Sequence, residues 1–189
     1  MTKSWQHCKN ILVIRADNMG DLIMSAPAIR ALKETFAAKI TVLTSTMAAG
    51  VVPFIAEIDE AIVFDLPWVK AKGYSESEEI PVLVEQLKAR SFDAAVIFTV
   101  FSQNPLPAAM IAYLAAIPLR LSYCRENPYA LLTDWLPDKE PYNFIQHQVE
   151  RDLKLVNSVG AYTNNCCLHL SVAEKTAEIV QNKLNEKQI

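Results

Sequence analysis

The segment Ile11 to Leu32, ILVIRADNMGDLIMSAPAIRAL, sets an acid, Asp21, directly after Gly20, where a β-branched apolar run gives way to a helical pattern. A carboxylate at the start of a helix meets the positive end of its dipole, which favours the charged form by ~0.3 to 1 kcal/mol when exposed. Such a group can accept a proton from a bound hydroxyl, as a general base does. The plainer role is a helix cap, which Asp fills well, and spacing alone leaves both open. Gly20 is read as the residue that lets the backbone turn tightly. Arg15, Asp17 and Asn18 project from the same turn. Polar groups beyond the carboxyl ends of parallel strands line ligand crevices, with solvated loop residues as the alternative.

Other polar side chains are candidates of the same kind. Ser102, Gln103 and Asn104 follow a later apolar run and would emerge at the same sheet edge, either to hydrogen-bond ligand hydroxyls or to cap the helix near Pro105. Arg120 and Arg125 flank a further run, and an Arg fork can hold a phosphate or carboxylate; a surface role is the alternative for each. His147 opens a helical pattern as a cap, a packed side chain or a functional group. Trp68 and Tyr74 could stack on a ring or form a satellite cluster. Cys8, Cys124, Cys166 and Cys167 show no C-x-x-C and no His at ligand spacing, so no metal site is expected.

The elements that must position these groups alternate along the chain. Strands are expected at Ile11 to Arg15, Ile40 to Thr44, Ala61 to Phe64, Ala94 to Phe98 and Leu119 to Tyr123, nearly continuous apolar runs of the kind buried on both faces. Between the first two, Leu22, Ala26, Ile29, Leu32 and Phe36 recur at helical spacing, with Arg30, Lys33 and Glu34 opposite. Pro27 inside this helix deprives the Ile23 carbonyl of its partner and should bend it, with Ser25 close enough to satisfy part of the loss. Further helices are expected at Glu78 to Arg90, Pro105 to Ala116, Phe144 to Val159 and Val172 to Lys187; Leu66 to Glu79 and Arg125 to Tyr142 read as loops. Alternating strands and helices predict an α/β fold with a doubly wound, mainly parallel sheet in one domain spanning 1–189.

Composition narrows the partners. Hydrophobic residues make up 51% and charged residues 21% of the 189, so the chain should fold around a core. The net charge of −3 gives no field that would attract nucleic acid. The longest apolar stretch, Pro105 to Leu121, holds three prolines and falls short of the ~20 residues of a membrane span. No export signal is visible at the amino terminus, so the thiols are expected to be reduced and the protein cytoplasmic. The turn after the first strand is not a G-x-G-x-x-G fingerprint, for the whole chain has four glycines, nor is it a phosphate-binding loop. A flavodoxin-like binder is disfavoured on the same ground.

The segment ILVIRADNMGDLIMSAPAIRALKETF resembles the amino-terminal motif of glycosyltransferase family 9, the ADP-heptose:lipopolysaccharide heptosyltransferase group. Ile40 to Leu43 followed by Asp65, LKARSFDAAVIF at Leu87 to Phe98, AIPLRLSY at Ala116 to Tyr123 (with Ser122 in place of a glycine) and HQVERDLKLVNSVG at His147 to Gly160 continue the likeness in order. The resemblance implies the amino-terminal, Rossmann-like half of a GT-B enzyme that is inverting and metal-independent and needs no cofactor, with a nucleotide sugar as donor substrate. It implies Asp21 as the general base; beside it Arg15, Asp17, Asn18, Gly20, Ser102, Gln103 and Arg120, singled out by position and chemistry, are the candidate contacts to a glycan or lipopolysaccharide-core acceptor. It further implies a donor-binding domain outside these residues and a location at the inner face of the inner membrane. A non-catalytic α/β module that binds a saccharide or a protein is the alternative.

Overall fold

The computed structural model describes residues 4–70, 76–172 and 174–186. Its centre is a six-stranded, wholly parallel sheet in the order β3-β2-β1-β4-β5-β6. The strands are β1 (Asn10–Ile14), β2 (Lys39–Thr44), β3 (Glu60–Val63), β4 (Ala94–Ile97), β5 (Leu119–Cys124) and β6 (Asp134–Pro137). The helices are α1 (Met19–Phe36), α2 (Glu79–Ala89), α3 (Leu106–Leu114), α4 (Gln148–Asn157) and α5 (Glu174–Glu186). β1, β4 and β5 are buried almost throughout, as covering on both faces requires.

Alternation along β1 divides the core. Ile11 and Val13 pack with α1 and α4, through Leu22, Ile29, Leu155 and Val156. Leu12 and Ile14 face the other way, towards Leu83 and Leu87 of α2 and Ile111 of α3. Sequential strands run outward from β1 in one direction and from β4 in the other, so the chain's winding reverses between their carboxyl ends. Open α/β sheets bind ligands at this place.

Several expectations are corrected. The segment expected to be a loop from Arg125 to Tyr142 contains β6, which pairs with β5 from Leu121↔Asp134 to Cys124↔Pro137. It is a short edge strand of alternating exposure that ends in a proline, which an edge tolerates. Arg30 is buried rather than solvated: its guanidinium pairs with Glu57 at 2.6 Å and donates to the carbonyls of Asn165 and Cys167, because the chain after α4 returns across α1. Ser25 does not serve the Ile23 carbonyl; its hydroxyl lies 3.1 Å from the carbonyl of Asp21 and 2.7 Å from Asp152 of α4. Helix α4 starts at Gln148 rather than Phe144, with His147 as its exposed N-cap.

Candidate functional site

Strand β1 ends at Ile14, and residues 15–18 cross the sheet edge before α1 begins at Met19. This turn is tied down from β2. The Thr44 hydroxyl donates to the Arg15 carbonyl at 2.7 Å, and the Ser45 hydroxyl to the Asp17 carbonyl at 2.6 Å. Asn18 is the N-cap of α1 and Asp21 its third helical residue. The Asn18 N–H donates to Asp21 Oδ2 at 3.3 Å, the carboxylate half of a capping box. Capping and chemistry are therefore compatible: one oxygen faces the turn while the side chain stays 19% exposed at the crevice.

Gly20 does a different job from the one expected. Its φ lies outside the left-handed region, and a Cβ there would meet nothing within 4 Å. The turn does not depend on it; the missing side chain leaves the approach to the helix start open.

Beneath Asp21 lies a buried group of charges. Arg15 is fully buried, with Nε 3.3 Å from Asp17 and Nη2 3.3 Å from Asp21. None of its guanidinium nitrogens has a partner in hydrogen-bonding geometry, so its compensation is chiefly ionic. Asp17 is also buried; one oxygen, Oδ1, accepts from Gln103 Nε2 at 2.6 Å, whereas Oδ2 has no hydrogen-bond donor. Burial pushes the Asp17 carboxyl above the usual range, against the pull of Arg15 and Gln103.

Asp152 completes the group from α4. It is entirely enclosed, and loss of solvation raises it to about 6, opposed by Arg15 and by hydrogen bonds from Ser25 and Gln148. Gln148 Nε2 donates to its Oδ1 at 2.8 Å. A Ser25 hydroxyl has one proton for two nearby acceptors, Asp152 and the Asp21 carbonyl. When Asp152 is protonated it can donate to Ser25, which then donates to Asp21; when it is ionised Ser25 must turn to it. Sequence reasoning missed Asp152. Its signal was present, since it falls on the face of α4 that buries Val149, Leu155 and Val156.

The candidates on the β4 side divide. Gln103 joins the site through Asp17, while Asn104 caps the start of α3 by accepting from the Leu106 N–H at 2.9 Å. Ser102 is exposed beside them. A cavity of about 190 Å³ opens here between the ends of β1 and β4, reached by Asp17, Thr99, Ser102, Gln103 and Trp68. Tyr74 lies outside the described residues.

The structure does not bring Arg120 into this group. It stands near the amino end of β5, level with Ala95 of β4, and its guanidinium donates to the carbonyls of Ile117, Ala130 and Leu131. Its environment is a set of backbone acceptors at the far edge of the sheet. Arg125, at the carboxyl end of β5, donates to the carbonyls of Phe101 and Glu140 and lies 3.9 Å from Asp138.

No protein-family model and no curated protein sequence matches the chain. Solved structures do. The chain superposes over its whole length on 51% of the glycosyl transferase family 9 structure from Veillonella parvula DSM 2008, with a TM-score of 0.73 and 16% identity. The fold is that of the amino-terminal half of a family 9 glycosyltransferase. The same fold recurs in E. coli ADP-heptose lps heptosyltransferase II, with a TM-score of 0.68 and 24% identity over 93% of this chain and 50% of that one. It recurs again in E. coli heptosyltransferase WaaC with ADP-2-deoxy-2-fluoro heptose, with a TM-score of 0.57 and 17% identity over 82% of this chain and 50% of that one. The chain thus spans about half the length of these structures.

Proposed function

We propose that this chain supplies the acceptor side and the general base of an inverting, metal-independent glycosyltransferase of the heptosyltransferase kind. The observation that carries this reading is a carboxylate, Asp21, partly exposed at the point where the sheet's winding reverses and backed by the buried Arg15, in a fold shared with family 9 glycosyltransferases. In the reaction Asp21 takes the proton of an acceptor hydroxyl as that oxygen attacks the anomeric carbon of a nucleotide-diphosphate sugar. The bond from that carbon to the diphosphate breaks on the opposite face, so the configuration inverts. The leaving diphosphate is stabilised by a second, donor-binding domain that these residues do not include.

The acceptor crevice is formed by Asp21, Asn18, the open position at Gly20, Asp17, Ser102 and Gln103. Arg15 acts from below as a buried counter-ion. No helix among the described residues is long and apolar enough to cross a membrane, and a lipopolysaccharide-type acceptor would bring the enzyme to the inner face of the inner membrane.

The test is complementation. A strain lacking the gene is supplied with a full-length version, these residues together with the donor-binding domain, either wild-type or carrying Asp21→Asn, and its surface glycans are analysed by mass spectrometry. The wild type should restore a missing sugar and the variant should not, at equal levels of folded protein. A variant that restores the glycan normally removes Asp21 from the mechanism.

A further inference from the structure

The stretch between β6 and α4, residues 139–147, inverts the usual partition of side chains. Its acid turns inward: Glu140 is buried and ion-paired with Arg151 of α4, beside Asp138, which pairs with the same guanidinium at 3.0 Å. Glu140 also accepts from the Gln146 N–H at 2.7 Å, which pins the two ends of the stretch together. Between those ends the apolar side chains reach solvent. Tyr142 is 83% and Ile145 70% exposed, and Phe144 is exposed beside them.

Cations accompany this tip. The Arg125 guanidinium lies 6.0 Å from the centre of the Tyr142 ring and Lys154 Nζ 5.8 Å from that of Phe144, with Lys139 exposed next to Glu140. Exposed acids on the same stretches are Glu126 and Glu150, so three exposed cations stand against two exposed acids in a chain of net charge −3. Aromatic rings with a cation alongside suit a bilayer surface, where rings sit at headgroup level and Lys or Arg meets phosphates. A second copy fits less well, for two tips face to face would set Arg125, Lys139 and Lys154 against their own images. Helix α5 also exposes Ile179, Val180 and Leu184, but its three Glu and two Lys give no attraction to an anionic surface.

Position agrees with this partner. The Asp138 N–H donates to the Cys124 carbonyl, so the stretch leaves from the carboxyl edge of the sheet, where the crevice lies. Arg125 Nη2 donates to the Glu140 carbonyl at 3.1 Å and to the Phe101 carbonyl, and one guanidinium thereby ties the tip to the turn that carries Ser102 and Gln103.

We propose that residues 139–147 rest on an anionic phospholipid surface, with Tyr142, Phe144 and Ile145 entering the headgroup region and Arg125, Lys139 and Lys154 meeting lipid phosphates. This deepens the acceptor-side reading and rests on it only for the consequence, that a lipid-borne acceptor is met at the crevice's own edge of the sheet. Binding is read without sugar and without transfer, so the two can fail separately.

The experiment mixes the full chain, ¹⁵N-labelled, with vesicles of phosphatidylglycerol and phosphatidylcholine, and with vesicles of phosphatidylcholine alone. On the mixed vesicles half of it should be bound at roughly 1 mM lipid, weaker than the ~10⁴ M⁻¹ of a single myristoyl chain. On the neutral ones binding should be at least about threefold weaker. A nitroxide-labelled phospholipid should broaden the amides of Tyr142, Asn143 and Ile145 before any others. Tyr142→Ser with Ile145→Ser should weaken binding at least about tenfold, and Lys139→Glu with Lys154→Glu should remove the preference for anionic vesicles. Ile179→Ser with Val180→Ser in α5 should change binding by less than about twofold. All these side chains are exposed, so thermal unfolding of the variants should match the wild type. Absent binding, equal binding to both vesicles, binding that survives the first pair, or broadening that starts at α5 overturns the proposal. So does a dimer that the first pair dissolves, which assigns the tip to a second copy. A failed vesicle test leaves Asp21 as the proposed base, and a failed complementation test leaves the lipid contact standing.

Discussion

The guanidinium of Arg15 stands 3.3 Å from the Asp21 carboxylate, fully buried beneath a side chain that reaches solvent. Asp17 also lies 3.3 Å from it, and it draws down the carboxyl of Asp152 electrostatically. One cation thus serves three carboxylates that come from the β1–α1 turn, the first turn of α1, and α4.

Removing that cation should be severe. Arg15→Met removes the ion-pair partner of the buried Asp17, a class of change that costs ~3–5 kcal/mol. Urea denaturation should show that loss, with Arg15→Lys intermediate because it keeps the charge without the fork.

Asp152 should leave a mark on the pH dependence of stability. Its folded value, about 6, lies above its ordinary value of 3.8, so the folded state holds the proton more tightly. Its contribution is fully present below about pH 4 and is lost as the pH rises through about 6. Asp17 is shifted in the same sense, while Asp59 and Glu60 are shifted in the opposite one. The difference between wild type and Asp152→Asn therefore isolates the group. Urea midpoints measured at about pH 4 and about pH 7 should fall further with rising pH in the wild type than in the variant.

Gly20→Ala should separate folding from function. The position is helical and open, so alanine should stabilise by about 0.5 kcal/mol through helix propensity. Thermal unfolding should rise slightly, while restoration of the glycan in the complementation strain should fall because a methyl group now stands at the approach to Asp21.

Arg120→Gln should do the reverse. The variant loses a buried guanidinium that ties the residues before β5 to those before β6, and a stability loss of about 1–3 kcal/mol is expected. Restoration of the glycan in the complementation strain, compared at equal levels of folded protein, should match the wild type, since the side chain lies at the other end of the sheet.

The parts legible in the sequence were those fixed by local pattern. Five strands announce themselves as apolar runs because both faces are covered, and α1 announces itself by helical spacing after the Gly-Asp pair. β6 did not, because DWLP at an exposed edge carries neither a continuous apolar run nor strict alternation of residue type. Arg30 looked solvent-facing, since helical periodicity does not show a later segment folding back over it. Arg120 illustrates the same gap: a strand's pattern places it in the sheet, but only its carbonyl partners show which end it serves. Asp21, Asp17 and Gln103 lie at one sheet edge as their positions after β1 and β4 suggest, whereas their link to Asp152 exists only once α4 packs on α1.

That link spans much of the chain: Ser25 and Asp152 touch although 127 positions separate them. During synthesis β1 and α1 leave the ribosome early, carrying Arg15, Asp17 and Asp21, and must wait for α4 before the buried acid can close beneath them. Contacts of such long sequence separation form late and slowly. The crevice should therefore be among the last parts of this domain to become native, and a nascent chain halted before α4 should expose an unfinished charged floor to quality control.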